Sequence, residues 1–198
     1  MIQEARGIFM LRAFFQKLSL FQNEDKMNFC KIGIVAAFSA LLFGCSEETK
    51  TRSVVVYFSQ TGTTKTVAEE IQKNTGADMV ELGLENPYPS TYDSTIQRAK
   101  RERESKRWPE LLQAKMNLAN YDTVFLGYPI MFGTFAPPIY TFLDSNDLNG
   151  KVVVPFCTYG SGGLKNSAEE LKRLVPGMKL VKPYGIAHKR ISKAPEEV

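Results

Sequence analysis

Residues 54–67 read VVVYFSQTGTTKTV, and the reading of this stretch decides the fold. Val54, Val55, Val56, Tyr57 and Phe58 are β-branched or aromatic with no polar interruption. That composition suits a strand buried on both faces, as in a parallel sheet. The run stops at Ser59-Gln60-Thr61-Gly62-Thr63-Thr64, a short polar turn around one glycine. A helical pattern follows, with Val67, Ala68 and Ile71 on one face and Lys65, Glu69, Glu70 and Lys73 on the other. Strand, hydroxyl-rich turn and helix N-terminus together make an anion site. The unpaired N–H groups of the first helical turn and the helix dipole both favour a phosphate there, and the Ser and Thr hydroxyls can donate to it. Two other nucleotide loops are excluded. A Walker A loop needs G-x-x-x-x-G-K-[ST], and the first glycine and the Gly-Lys pair are missing. A dinucleotide fingerprint needs three spaced glycines, and this stretch has Gly62 alone.

Downstream, Asn74-Thr75-Gly76 reads as a helix stop and Ala77–Leu82 as the second strand. In the long connection 83–120, Pro87-Tyr88-Pro89 is extended and Ser94–Arg107 is a densely charged helix. Its interleaved signs indicate a solvated face rather than a basic partner patch. Trp108, next to Pro109, reads as a packing residue. Tyr121–Gly127 is the third strand and leads into Tyr128–Pro138, whose aromatic and proline content is costly to expose unless it covers something flat and apolar. A short helix over Ile139–Leu143 precedes the fourth strand, Lys151–Cys157, and a glycine-rich loop, Thr158–Gly163. Ser167–Leu174 reads as a helix with a serine cap and acids in its first turn. Leu180–Ala187 is the fifth strand. The alternation is that of an α/β, doubly wound, five-stranded parallel sheet. Ala194-Pro195-Glu196-Glu197-Val198 opens a helix that does not continue, so the last helix is expected to be missing.

Ser59-x-Thr61-Gly62-x-Thr64 after a hydrophobic strand resembles the phosphate-binding loop of the flavodoxins. The chain is most similar to a bacterial flavodoxin-like subgroup with a Y-P-x-x-x-G-T-x-x-P-P segment, here Tyr128 to Pro138, and a P-F-x-T-x-G-x-x-G segment, here Pro155 to Gly163. The resemblance runs from about Val54 to His188 and implies a strand order 2-1-3-4-5, noncovalently bound FMN and electrons carried one or two at a time. It implies that Ser59, Gln60, Thr61, Gly62, Thr63 and Thr64 hold the phosphate. Pro129, Ile130, Met131, Phe132 and Gly133 would border the isoalloxazine, and Thr158, Tyr159, Gly160 and Gly163 would close its other edge. Phe132 or Tyr159 could stack on such a ring. Met131 and Phe132 stand where the subgroup often has tryptophans, and the strong acidity of classical flavodoxins is absent. A flavin carrier needs no acid, base or nucleophile of its own, and the strand ends show no paired Asp, no Ser–His–Asp set and no metal cluster. His188, the sole histidine, reads as a surface or tail residue.

Net charge is +4, with part of the excess before residue 46, which makes no electrostatic case for nucleic acid. Lys31, the apolar run 32–44 and Cys45 read as a lipoprotein signal over 27–45, because Leu42-Phe43-Gly44-Cys45 resembles the bacterial lipobox. Cys45 is then the lipidation site. Residues 1–26 read as an upstream extension from a misplaced start codon, and residues 46–53 as a tether. These features imply an exported, membrane-anchored bacterial lipoprotein. Of the three cysteines this leaves Cys157 in the domain, expected as a buried thiol at a strand end. The expected function is an FMN-binding electron-transfer protein serving a redox partner protein or a small electron donor or acceptor. The alternatives are an FMN-dependent NAD(P)H or quinone oxidoreductase on the same fold, or a flavin-free binding module.

Overall fold

The computed structural model describes residues 52–198, so the expectations for the extension, the signal, Cys45 and most of the tether lie outside the described residues. The elements are β1 (Ser53–Tyr57), α1 (Thr63–Thr75), β2 (Asp78–Glu81), α2 (Tyr92–Ser105), β3 (Thr123–Met131), β4 (Thr134–Phe135), α3 (Pro138–Ser145), β5 (Val152–Tyr159), α4 (Leu164–Leu174), β6 (Lys179–Leu180) and β7 (Tyr184–Ala187). A 3-10 turn, His188–Lys193, and a one-turn helix α5, Ala194–Glu197, follow.

The sheet runs β2-β1-β3-β5-β6, with β7 also paired to β5 and the two-residue β4 antiparallel to β3. With β4 set aside and β6 and β7 taken together, this is the expected order 2-1-3-4-5. In register, Val54 lies between Asp78 and Val124, and Thr123 pairs with Val152. Period-2 alternation sends the apolar run of β1 to both faces. Val54 and Val56 join Val124, Leu126, Tyr128, Ile139, Phe142, Val153 and Leu171 on one face. Val55 and Tyr57 join Phe156 and Ile186 on the other, beneath Val67, Ala68 and Ile71 of α1. Helices on both faces are what an all-parallel core requires.

Outside the loops of the carboxyl edge, three elements differ from expectation. The fifth strand is split: β6 pairs with the start of β5 and β7 with its end. Lys182-Pro183 separates them, and proline has no N–H to give to the ladder. The last helix, expected to be missing, is represented by the 3-10 turn and α5. The Ala194 methyl group is fully buried against the α1 face, with Ile191 and Val198 packed alongside, so this side of the sheet is covered. Finally, α4 begins at Leu164 rather than at a serine cap, with no acid in its first turn. Ser167 is buried inside the helix, where its hydroxyl donates to the Leu164 carbonyl at 2.9 Å and accepts from Tyr128 OH at 3.2 Å.

Trp108 is a packing residue, stacked on Tyr140 with centroids 3.9 Å apart and planes 8° from parallel. Among the described residues no helix is long and apolar enough to cross a membrane. A tight packing constraint lies at the sheet centre. A Cβ on Gly127 would fall 2.1 Å from Cζ of Phe156, a ring that is itself buried and cannot yield. Gly127→Ala is therefore expected to destabilise the fold by about 1–3 kcal/mol, read as a lower urea midpoint at unchanged m-value. An unchanged midpoint would mean that the two strands separate more easily than their register suggests.

Candidate functional site

Three connections meet at the carboxyl edge of the sheet, where a doubly wound fold places its ligands. The first, Ser59–Gly62, joins β1 to α1. Gly62 takes a left-handed φ of 82° at the N-cap, and a Cβ there would meet nothing within 4 Å, so the space above it is open. Gly62 has no side chain to cap α1, and no acid stands in its first turn. Ser59 Oγ accepts from the Lys65 amide at 3.2 Å, whereas the amides of Thr63 and Thr64 find no acceptor among the described residues. A positive helix end with free donors and no competing carboxylate remains.

The second is a β-hairpin rather than the loop expected. β3 continues through Pro129 and Ile130 to Met131 and turns back into β4, with Met131 opposite Thr134. Phe132 and Gly133 form the turn, both with positive φ, 52° and 79°. This is the two-residue hairpin whose twist suits the flanking strands. Left-handed φ at a phenylalanine costs roughly 1–2 kcal/mol, and such strain tends to gather at functional positions. It holds the Phe132 ring 44% exposed at the tip, while Met131 is buried in the core.

The third, Thr158–Gly163, joins β5 to α4. Gly160 is exposed and open. Gly163, at φ 106°, lies so close to the hairpin that a Cβ would fall 2.5 Å from Ile130 Cγ2 and 3.0 Å from the Gly133 carbonyl oxygen. Tyr159 is half-buried, and its ring lies over Gly185, where an added Cβ would be 3.0 Å away. Of the two aromatics expected to be available for stacking, Phe132 is the one left at the surface.

The three connections are tied together. Thr64 Oγ and Thr158 Oγ are hydrogen-bonded at 2.9 Å in a buried contact. Gly163 against the hairpin makes the second link. Thr61 Oγ lies 3.1 Å from Thr63 Oγ, and Thr63 Oγ lies 3.0 Å from Nδ1 of His188. His188, expected as a surface or tail residue, is exposed but hydrogen-bonded into the first loop. The connection after β2 is also part of this edge. Gln60 Nε2 donates to the Pro89 carbonyl at 3.4 Å, and a cavity of about 510 Å³ opens between Ser59, Gln60 and the 82–88 segment. This cavity lies on the β2 side of the first loop, whereas the hairpin and the third loop lie on its β3 and β5 side, where Gly163 packs against the hairpin turn. No cluster of His, Cys, Asp and Glu suited to a metal occurs among the described residues.

A model of the flavodoxin family matches residues 52–195, nearly all of the described chain. The chain belongs to the flavodoxin family. A candidate flavoprotein from Bacteroides eggerthii is 33% identical, with a TM-score of 0.63, over 72% of this chain and 94% of that one. A second, from Bacteroides uniformis, is 30% identical with a TM-score of 0.65, over 74% and 96%. The fold is shared with a Lactobacillus acidophilus flavoprotein crystallised in complex with FMN, 24% identical with a TM-score of 0.60, over 72% of this chain and 97% of that one. No curated protein matches the chain.

Cys157 precedes Thr158 on β5. It is fully buried, and burial pushes its thiol up to about 12. Thiol reagents act on the thiolate, so Cys157 is expected to resist maleimide labelling in the folded protein and to react in urea, read by peptide mass mapping. The same shift has a sign for stability. Unfolded, the thiol loses its proton near pH 8.5; folded, it keeps it. Stability is therefore full below that pH and falls as pH rises toward 12. The phenols of buried Tyr128 and half-buried Tyr184, pushed upward mainly by burial, act in the same direction.

Proposed function

We propose that this flavodoxin-family protein binds FMN noncovalently and carries electrons. The observation that carries the reading is the first loop: an acid-free helix N-terminus whose Thr63 and Thr64 amides lack acceptors among the described residues, beneath open space at Gly62 and linked by Thr64–Thr158 to the third loop, which packs against a hairpin with an exposed aromatic tip. These residues fit a phosphate-bearing flavin. The Thr63 and Thr64 amides and the Ser59 and Thr61 hydroxyls would hold the phosphate. Pro129, Ile130, Phe132 and Gly133 would border one side of the ring, with Gly160 and Gly163 on the other. Thr158 would act through Thr64, holding the phosphate loop in place, and buried Met131 would support the hairpin from beneath. When bound, FMN would supply one- and two-electron transfer. The protein's own contribution is to bind, orient and partly desolvate the ring. Exposure of Phe132 would leave one border of the bound ring open to a redox partner.

The relative bound to FMN supports the choice of flavin. Titration of the purified protein with FMN, followed by flavin fluorescence, tests it. Gly62→Val is expected to weaken binding by tenfold or more, about 1.4 kcal/mol, since a β-branched residue resists the left-handed φ that aims the helix amides. Affinity unchanged in that variant would remove the phosphate from this loop. Clean reversible reduction without consumption of NADPH would favour the carrier, and sustained NADPH turnover would favour an oxidoreductase.

We further propose that the domain is exported and held at a membrane by lipid on Cys45, a reading supported by the lipobox-like 42–45 segment. Mass spectrometry of the protein from its native membrane fraction is expected to find an N-terminal, diacylglycerol-modified Cys45. Recovery of an intact chain beginning at Met1 or Met27 would overturn the anchor.

A further inference from the structure

The single histidine of the chain is bonded to the phosphate loop across a large sequence separation. His188 Nδ1 lies 3.0 Å from Thr63 Oγ, and Thr63 Oγ lies 3.1 Å from Thr61 Oγ. Thr63 is buried while Thr61 is exposed at the mouth of the loop. The three side chains therefore form a short hydrogen-bonded row running from the 3-10 turn to the surface where an anion would sit.

A hydroxyl has one proton to give and two lone pairs. When the imidazole is neutral with its proton on Nε2, Nδ1 can only accept. Thr63 then spends its proton on His188 and can offer Thr61 only lone pairs. When the imidazole is protonated, Nδ1–H donates to Thr63 Oγ. The Thr63 proton is released toward the loop, either to Thr61 or to an anion above it. The same event adds a positive charge at the end of the row. Both changes favour a phosphate, and neither matters to an uncharged ligand.

We propose that His188 is a positioning residue that sets the affinity of the loop for a phosphate monoester through Thr63, making the preference for FMN over riboflavin depend on pH. The inference rests on the flavin reading above and goes beyond it, because the discrimination is assigned to a residue outside the three loops. Histidine is the side chain whose charge changes near neutral pH, so the preference strengthens as pH falls and fades as pH rises.

Other charges near the row do not supply this response. On the turn itself, Arg190 is paired with Glu197 of α5, whose carboxylate also accepts from Tyr184 OH of β7. On α1, Glu70 pairs with Lys73, and Lys65 with Glu81 of the β2 end, each at 3.6 Å. Lys189, Lys193, Glu69 and Glu196 form no ion pair among the described residues. None of these side chains is hydrogen-bonded to His188, Thr63 or Thr61, so none redirects the protons of the row.

The experiment measures Kd for FMN and for riboflavin by flavin fluorescence at intervals from pH 5.5 to 8.5, using the purified protein, His188→Asn and Thr63→Val. Asparagine keeps a neutral polar group near the Nδ1 position but does not titrate, and valine breaks the row from the other side. The phosphate of FMN itself titrates near pH 6, and dividing each unsubstituted-protein affinity by that of the variant cancels this shared contribution. The FMN affinity of the unsubstituted protein relative to His188→Asn is expected to rise about tenfold from pH 8.5 to 5.5. Riboflavin affinity should be the same in the unsubstituted protein and His188→Asn. Thr63→Val should flatten the same profile, which keeps the inference testable if His188→Asn folds poorly. A pH-independent ratio between the unsubstituted protein and His188→Asn, or equal losses of FMN and riboflavin, would overturn the inference and leave the flavin reading standing. Failure of the unsubstituted protein to bind either flavin would overturn both.

Discussion

One buried hydrogen bond, Thr64 Oγ to Thr158 Oγ at 2.9 Å, holds together segments 94 residues apart in sequence. Each hydroxyl is the other's partner in a place closed to water, so breaking the contact by removing one leaves the other unsatisfied, at a cost of about 1–3 kcal/mol. That penalty fixes the spacing between the α1 N-terminus and the end of β5. From the end of β5 the chain reaches Gly163, whose missing Cβ allows it to lie against Ile130 and the Gly133 carbonyl. The anion end and the hairpin are thus set by one chain of contacts. Displacement of any of the three loops would be felt by the others.

The sheet supplies the rigidity this arrangement needs. Every residue of Val54–Phe58 is buried, and β1 lies between β2 and β3, so the loop that follows starts from a fixed point. The hairpin is rigid for a different reason. Its turn is short, its strand partners are paired, and Phe132 is held in a conformation that an isolated peptide would leave. An exposed aromatic kept at positive φ is costly unless something lies against it.

The α/β order, the two-faced core and the first loop could be read from the chain because they depend on local pattern. A continuous apolar run, a hydroxyl-rich turn and a helical period adjoin one another in Val54–Ile71. Other features depend on distant contacts or on conformations the residue types do not advertise. Nothing in the letters Met-Phe-Gly-Thr marks the phenylalanine as the left-handed residue of a hairpin. Ser167 mimics a helix cap by type and by the acids that follow it, yet its hydroxyl is claimed by Tyr128 and the Leu164 carbonyl. The break at Lys182-Pro183 was present as a proline inside an assigned strand, a signal that argues for splitting it. His188 gave no local signal. Its partner Thr63 is 125 residues away, and only the folded chain brings them to 3.0 Å.

The divided last strand has a consequence for how the protein behaves among copies of itself. At one border of the sheet, β6 offers two residues and β7 four, with proline between them. At the other, β2 has four residues and begins and ends in carboxylates, Asp78 and Glu81. Neither border presents a long, flat row of unpaired amides on which a second chain could lengthen the sheet, the usual first step toward β-aggregates. A domain with a near-neutral charge balance has little electrostatic repulsion to keep its copies apart. Here the geometry of the sheet margins supplies the protection that charge does not.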